Sequence, residues 1–182
     1  MPVEIEAVPP TMTTDVTVAD VNKDTYPDII TANYDGKSKV YLGSASGLPH
    51  NELTMQFTGS EFTIGGDGES DQKTIDVEVA DVDADGNADI IMANYGQPNF
   101  VYYGDGSGKF ITKDQIGSST TSSTTAISVE QLDAPGTPLD FVVANRDEDN
   151  EVVLGISVIT IDKHVTCTCT CSTGSPPLRS GH

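Results

Sequence analysis

Apolar and polar residues alternate in several short stretches of the chain. In the first of these, Val16 and Val18 alternate with polar residues, and the apolar pair Ile29 and Ile30 follows after an acidic loop. A period of two is typical of β-strands, in which successive side chains point to opposite faces. No segment sustains the 3.6-residue period of an amphipathic helix. The pattern therefore predicts an all-β fold of short antiparallel strands.

This arrangement of strand, acidic loop and strand occurs three times. Residues 15–34 read DVTVADVNKDTYPDIITANY and align without a gap to residues 76–95, DVEVADVDADGNADIIMANY, and a weaker copy lies at residues 126–146. Each copy continues into a further apolar stretch, KVYLG, FVYYG or EVVLG. A repeat of this length that holds about four strands is the size of a β-propeller blade. A sandwich built from the same hairpins is the alternative fold.

The repeats predict how the chain is divided. The parts are an N-terminal tail at 1–11, a first blade at 12–70, a second blade at 71–117, a degenerate third repeat at 118–162 and a low-complexity tail at 163–182. The Ser/Thr-rich stretch at 118–126 is expected to be a flexible connection. Closed propellers have four to eight blades. Three repeats therefore predict a partial propeller, which is a fragment or an array that caps its ends or self-associates through its open blade edges.

The net charge of −19, from 28 acidic and 9 basic residues, narrows the function. Such a chain repels phosphate backbones, so we expect no nucleic-acid partner. It lacks the run of about 18 apolar residues that inserts into a membrane, and its first residues show no secretory signal pattern. The cysteines Cys167, Cys169 and Cys171 lie together in the C-terminal tail, and their odd number argues against a disulfide framework.

The acidic loop of the second repeat, DVDADGNAD at 81–89, has a pattern suited to a metal ion. Its candidate ligands are the side chains at positions 1, 3, 5 and 9 and the carbonyl at position 7, namely Asp81, Asp83, Asp85, Asp89 and Asn87. Gly86 at position 6 allows a sharp turn. Calcium takes six to eight oxygen ligands, whereas magnesium keeps more water, so calcium is the favoured ion.

The loop of the first repeat, DVNKDTYPD at 20–28, offers a second and weaker site. Its candidate ligands are the side chains of Asp20, Asn22, Asp24 and Asp28 and the carbonyl of Tyr26. Thr25 stands where glycine would ease the turn. Neither loop has the Glu at position 12 or the flanking helices of an EF-hand. In the corresponding loop of the third repeat, QLDAPGTPLD, only Asp133 and Asp140 remain acidic, so metal binding is not expected there.

A metal-free interpretation of these loops stays open, because Asp and Asn side chains cap turns by bonding to nearby backbone amides. The crowding of the carboxylates favours the metal. Two unit charges about 4 Å apart repel by about 4 kcal/mol at an effective dielectric of about 20, and a divalent ion relieves several such terms at once.

The segments ADVNKDTYPDIITANY, ADVDADGNADIIMANYGQPNFVYYGDGSGKF and, more faintly, LDFVVANR resemble the FG-GAP/VCBS repeat family, which also builds the propeller of integrin α-subunits. The resemblance covers most of residues 15–155. It implies a β-propeller with calcium in the loops between blade strands, on secreted or cell-surface proteins. It also implies that the side chains at positions 1, 3, 5 and 9 of both loops are the ligands.

These observations predict a non-catalytic module with two calcium ions that binds a protein or a glycan. A calcium-stabilised structural spacer and the non-catalytic propeller part of a secreted hydrolase are the alternatives. An enzyme is not expected, because the histidines His50, His164 and His182 are scattered and no G-x-S-x-G motif occurs.

Overall fold

The computed structural model describes residues 12–44, 61–64, 72–117, 123–132, 138–146, 148–155 and 157–160. Within these ranges the chain forms strands, turns and loops but no helix, as the period-two pattern predicted. The strands in chain order are β1 (Thr13–Ala19), β2 (Asp28–Asn33), β3 (Lys39–Tyr41), β4 (Glu61–Thr63), β5 (Thr74–Ala80), β6 (Asp89–Asn94), β7 (Asn99–Gly104), β8 (Phe110–Ile116), β9 (Thr124–Glu130), β10 (Asp140–Asn145), β11 (Glu151–Leu154) and β12 (Ser157–Thr160).

The strands form three separate four-stranded antiparallel sheets, β1 to β4, β5 to β8 and β9 to β12, each a simple meander. We call these sheets blade 1, blade 2 and blade 3. The prediction of about three antiparallel propeller-type blades is confirmed, and no sheet closes on itself as a barrel. The first strand of blade 3, β9, includes residues 124–126, so the expectation of a flexible connection there was wrong for these three residues.

Blade 2 is packed between the other two blades, and the alternation along β6 decides which residue faces which neighbour. Ile90 and Met92 join a core shared with blade 1, whereas Ile91 and Ala93 join a core shared with blade 3. All four side chains are buried. This explains why β6 reads as an unbroken apolar run, because both of its faces are covered.

The first strands of the three blades lie next to one another and are joined by aspartates. Asp15 of β1 accepts a hydrogen bond from the backbone amide of Val77 in β5 at 3.1 Å. Asp76, which holds the same position in β5, accepts the amide of Ile127 in β9 at 2.8 Å. Ala126 holds this position in blade 3, opposite Ala144. Each of the two blade contacts therefore includes one carboxylate-to-amide bond.

An asparagine at the end of the second strand ties each blade together. In blade 2 the Asn94 side chain donates to the Pro98 carbonyl at 2.6 Å and accepts the Thr74 hydroxyl at 2.8 Å. Its backbone amide donates to the Asn99 side chain at 2.7 Å. Asn33 and Asn145 make the corresponding three bonds in blades 1 and 3. The Ala-Asn pair of each repeat is thus a structural element of the blade.

Candidate metal centre

The two acidic loops join the first and second strands of their blades and lie near each other. The loop at 20–28 connects β1 to β2, and the loop at 81–89 connects β5 to β6. The Lys23 ammonium of the first loop donates to the Asn87 side-chain oxygen of the second at 2.6 Å. Both loops are therefore at the same end of the blades.

The loop at 81–89 is folded by its own acidic side chains. Asp81 accepts the Gly86 amide at 2.9 Å, Asp83 accepts the Asp85 amide at 3.1 Å, and Asp85 accepts the Asn87 amide at 2.7 Å. Gly86 has a φ of 86°, a left-handed conformation that glycine adopts without strain. The turn-capping bonds that the metal-free interpretation requires are therefore present. These bonds fold the loop into a tight turn.

Three carboxylates of this loop converge on one point. Asp81, Asp83 and Asp89 each present one oxygen atom, and these oxygens lie within 4.8 Å of one another. Asp81 and Asp83 are exposed to solvent, whereas Asp89 is buried beneath them. Asp85 is not part of this group, and its second oxygen accepts the Asn87 side-chain amide at 2.7 Å. Three oxygen donors around one point could hold a metal ion.

Asp89 also holds the loop to the body of the blade. Its two oxygens accept the backbone amides of Val82 at 2.8 Å and of Gly104 at 2.9 Å. Burial raises the pKa of this carboxyl, the two amides lower it, and the charges of Asp83 and Asp85 raise it further. A carboxylate oxygen has more than one lone pair, so both amide bonds leave capacity for a cation. Burial and neighbouring negative charge disfavour the ionised form of Asp89, and a cation bound beside it would offset that unfavourable energy.

The loop at 20–28 repeats much of this geometry with less charge. Asp28 accepts the amides of Val21 and Gly43, both at 2.8 Å, and burial raises its pKa. Asp20 accepts the Thr25 amide at 2.8 Å. The side chains of Asn22 and Asp24 bond to each other at 3.0 Å. The carboxylates of this loop form no group of three like that at 81–89.

Thr25 makes the first loop more strained than the second. Its φ is 75°, close to the 86° of Gly86 at the corresponding position. A β-branched residue is unfavourable in this left-handed region because its Cβ crowds the backbone. The sequence indicated that glycine eases the turn at this position, and the left-handed φ at both residues agrees with that expectation. Tyr26, the carbonyl candidate of this loop, donates its amide to Asp24 at 2.8 Å.

Sequence reasoning missed the role of the aspartate that begins each second strand. Asp140 of blade 3 accepts the amides of Leu132 at 2.7 Å and of Gly155 at 2.9 Å, although its repeat carries Gln131 where the second repeat has Asp81. The signal in the sequence was the persistence of this aspartate in the copy whose loop keeps only one other acid, Asp133. Asp133 lies outside the described residues, as do the cysteines and the histidines.

Three stacked antiparallel blades with acidic loops at one end define a repeat protein of the β-propeller type. The model of the FG-GAP-like repeat matches residues 20–92 and 81–138. The chain belongs to the FG-GAP-like repeat family, as the resemblance of its motifs indicated. Comparison with curated proteins gives no significant match. Within the described residues, no helix has the length and apolar character needed to cross a membrane.

Proposed function

We propose that this chain is a calcium-binding, non-catalytic interaction module, with its principal site in the loop at 81–89. The observation that supports the proposal is the convergence of Asp81, Asp83 and Asp89 within 4.8 Å. These three side chains would hold the ion, together with oxygens of Asp85 and the Asn87 carbonyl as further candidates. The ion would supply positive charge that cancels carboxylate repulsion and fixes the loop.

A second, weaker calcium site at 20–28 is part of the proposal. Its candidate ligands are Asp20, Asn22, Asp24, Asp28 and the carbonyl of Tyr26. Its lower carboxylate count and the strain at Thr25 support the lower affinity. The two loops share one end of the blades, so calcium would order one continuous surface. We propose that this surface binds a protein or a glycan, outside the cell or on its surface, where calcium modules are tuned to about 10⁻⁴–10⁻³ M.

Calorimetry on the chelator-stripped full chain tests the metal. We expect two sites of unequal affinity, with the tighter one lost in Asp83→Asn. Glu148→Gln removes the same charge from an exposed position outside both loops and should leave both sites unchanged. Thr25→Gly should tighten the weaker site only, because it removes the backbone strain of that loop. Absence of binding heat in a chain that is folded by circular dichroism would contradict the proposal and leave the aspartates as turn caps.

A structural spacer is the competing function. It would bind calcium with the same ligands but no macromolecule. A glycan array and a protein-binding screen, each run in calcium and in chelator, separate the two. Calcium-dependent binding that Asp83→Asn abolishes supports the interaction module, and a folded, calcium-loaded chain that binds nothing in either screen supports the spacer.

A further inference from the structure

The first strand of blade 1 exposes apolar side chains that are covered in the other blades. Val16 is 49% exposed and Val18 is 61% exposed. The residues that correspond to Val16 in the next two blades are Val77 and Ile127. They are only 3% and 4% exposed, because a preceding blade packs on them. Thr31 of β2 and Tyr41 of β3 lie on the same face of blade 1, and both are buried. The exposed apolar part of this face is therefore β1.

The backbone of β1 matches the receiving side of the two blade contacts within the chain. Val77 and Ile127 each donate their amide to an aspartate of the blade before them. Val16 holds their position in β1, one residue after Asp15, and pairs with Thr31 as Val77 pairs with Met92. No described blade precedes β1. Strand β1 thus has the exposed apolar side chains and the backbone position of a strand that receives another blade.

Blade 3 exposes the opposite half of the same contact. Val142, Ala144 and Val152 are half-buried. In blade 2 the corresponding residues are Ile91, Ala93 and Val101, which are at most 3% exposed because blade 3 covers them. One chain therefore carries both complementary sides of an interface that it also builds twice internally.

We propose that blade 3 of one copy packs on blade 1 of a second copy, in the same way as successive blades pack within the chain. A head-to-tail contact of this kind joins unlike surfaces, and it closes into a ring when the rotation allows. Two copies supply six described blades, which lies within the four to eight of closed propellers. The expected product is a two-chain ring.

This intermolecular contact lacks a polar interaction that both internal contacts have. Ala126 stands where Asp15 and Asp76 supply a carboxylate to the next blade, so the contact lacks that hydrogen bond. The net charge of −19 on each copy also opposes association. Salt screens such repulsion. The association should therefore be reversible and should strengthen with ionic strength.

Sedimentation velocity of the full chain over a range of concentrations tests the proposal, in chelator so that calcium plays no part. The wild-type chain should shift from the mass of one chain to that of two. Ala126→Asp should tighten the association about a hundredfold or more, because the ring contains this contact twice and each new hydrogen bond to a charged group contributes at least about tenfold. Val18→Lys should abolish it. Ile111→Lys, at a residue that is 69% exposed on β8, is the matched control and should associate as wild type does.

Three outcomes would overturn the proposal. The first is a single-chain mass at every concentration for both the wild type and Ala126→Asp. The second is association that Val18→Lys leaves intact while circular dichroism shows all variants folded. The third is growth beyond two chains, since an open series of contacts is not a ring. Because the runs contain no calcium, each outcome is independent of the metal proposal.

Discussion

Blades 2 and 3 share their framework and differ in their loops. Both begin the second strand with an aspartate that accepts two backbone amides, Asp89 or Asp140. Both end it with an asparagine that joins three segments, Asn94 or Asn145. Within the described residues, only blade 2 combines this framework with a convergent group of carboxylates. The difference separates the residues that build a blade from those that suit it for a cation.

This separation changes how the acidic loop is interpreted. The aspartate that begins the second strand is present even in the third repeat, whose loop keeps only one other acid, so the blade alone accounts for it. Among the described residues, Asp81 and Asp83 have no such structural partner in the strands, and their bonds stay within the loop. The case for a cation therefore depends on these two side chains, with Asp89 as a third ligand that the blade supplies in any event.

The largest effect should come from breaking the asparagine network. Asn94→Ala removes side-chain bonds from a fully buried position and leaves the Thr74 hydroxyl and the Pro98 carbonyl without this partner. We expect a loss of about 4 kcal/mol in the free energy of unfolding. Asn145→Ala should lose about half as much, because Asn145 is half-buried and water replaces part of its bonds.

Urea denaturation measures both asparagine variants. Thr112→Ala, on the exposed side of β8, is the control and should change the unfolding free energy little. Equal losses for Asn94→Ala and Asn145→Ala would mean that burial does not set the size of the effect.

A smaller effect should separate the two aspartates. Asp89→Asn and Asp140→Asn each replace one acceptor oxygen by an NH₂ group that faces a backbone amide, and we expect each to lose about 2 kcal/mol of unfolding free energy in chelator. Calcium should affect the two variants differently, because only Asp89 is a candidate ligand. Added calcium should raise the melting temperature of Asp140→Asn as it does that of wild type, but that of Asp89→Asn much less. A full calcium response in Asp89→Asn would remove this residue from the ligand set.

The strands could be predicted from the sequence because period-two alternation is a local property of the chain. The loop ligands could be predicted as candidates for the same reason, since positions 1, 3 and 5 are close in sequence. The contacts between blades could not, because the bond from Val77 to Asp15 spans 62 residues and depends on the register of two sheets. The pair of amide bonds that Asp89 accepts was also hidden, because its second partner, Gly104, lies 15 residues further on.

The pH dependence of stability should also be concentrated in blade 2. Burial raises the pKa of Asp76, with a contribution from the Asp15 carboxyl, and burial also raises the pKa of Glu78 and Asp89. A raised folded-state pKa means that the folded chain binds protons more tightly than the unfolded chain. In these groups, stability is therefore gained as the pH falls toward their folded pKa and is lost as it rises through that range. In blade 3, Glu151 shows the same direction.

Thermal melting in chelator between about pH 7 and about pH 5, just above the ordinary carboxyl range, measures this effect. The melting temperature should rise as the pH falls. Asp76→Asn should flatten the rise more than Glu151→Gln does, because Asp76 also faces Asp15 across the blade contact. A melting temperature that falls over this interval would show that other carboxylates, with lowered pKa such as Asp105, dominate.

The smallest effect is spectroscopic. Burial and the neighbouring Asp114 raise the pKa of Tyr103 to about 12, and the charges of Asp83 and Asp89 contribute. Blade 3 has Leu154 at this position, so of these two blades only blade 2 has a tyrosine whose ionisation can be followed here. Calcium in the loop should lower the Tyr103 pKa, because it cancels part of this negative charge. The Tyr103 pKa is measured as the difference between the ultraviolet titration curves of the wild type and of Tyr103→Phe, with and without calcium. A Tyr103 pKa that calcium leaves unchanged would place the ion elsewhere.

The aspartate that begins each second strand also has a consequence for how such arrays diverge. Because Asp28, Asp89 and Asp140 each clamp their blade through two amides, a repeat can accumulate substitutions at the other loop positions and still fold. Cation-binding capacity can then be gained or lost one repeat at a time, with no change in the number of blades. The graded loops of this chain are the pattern that such independent drift would leave.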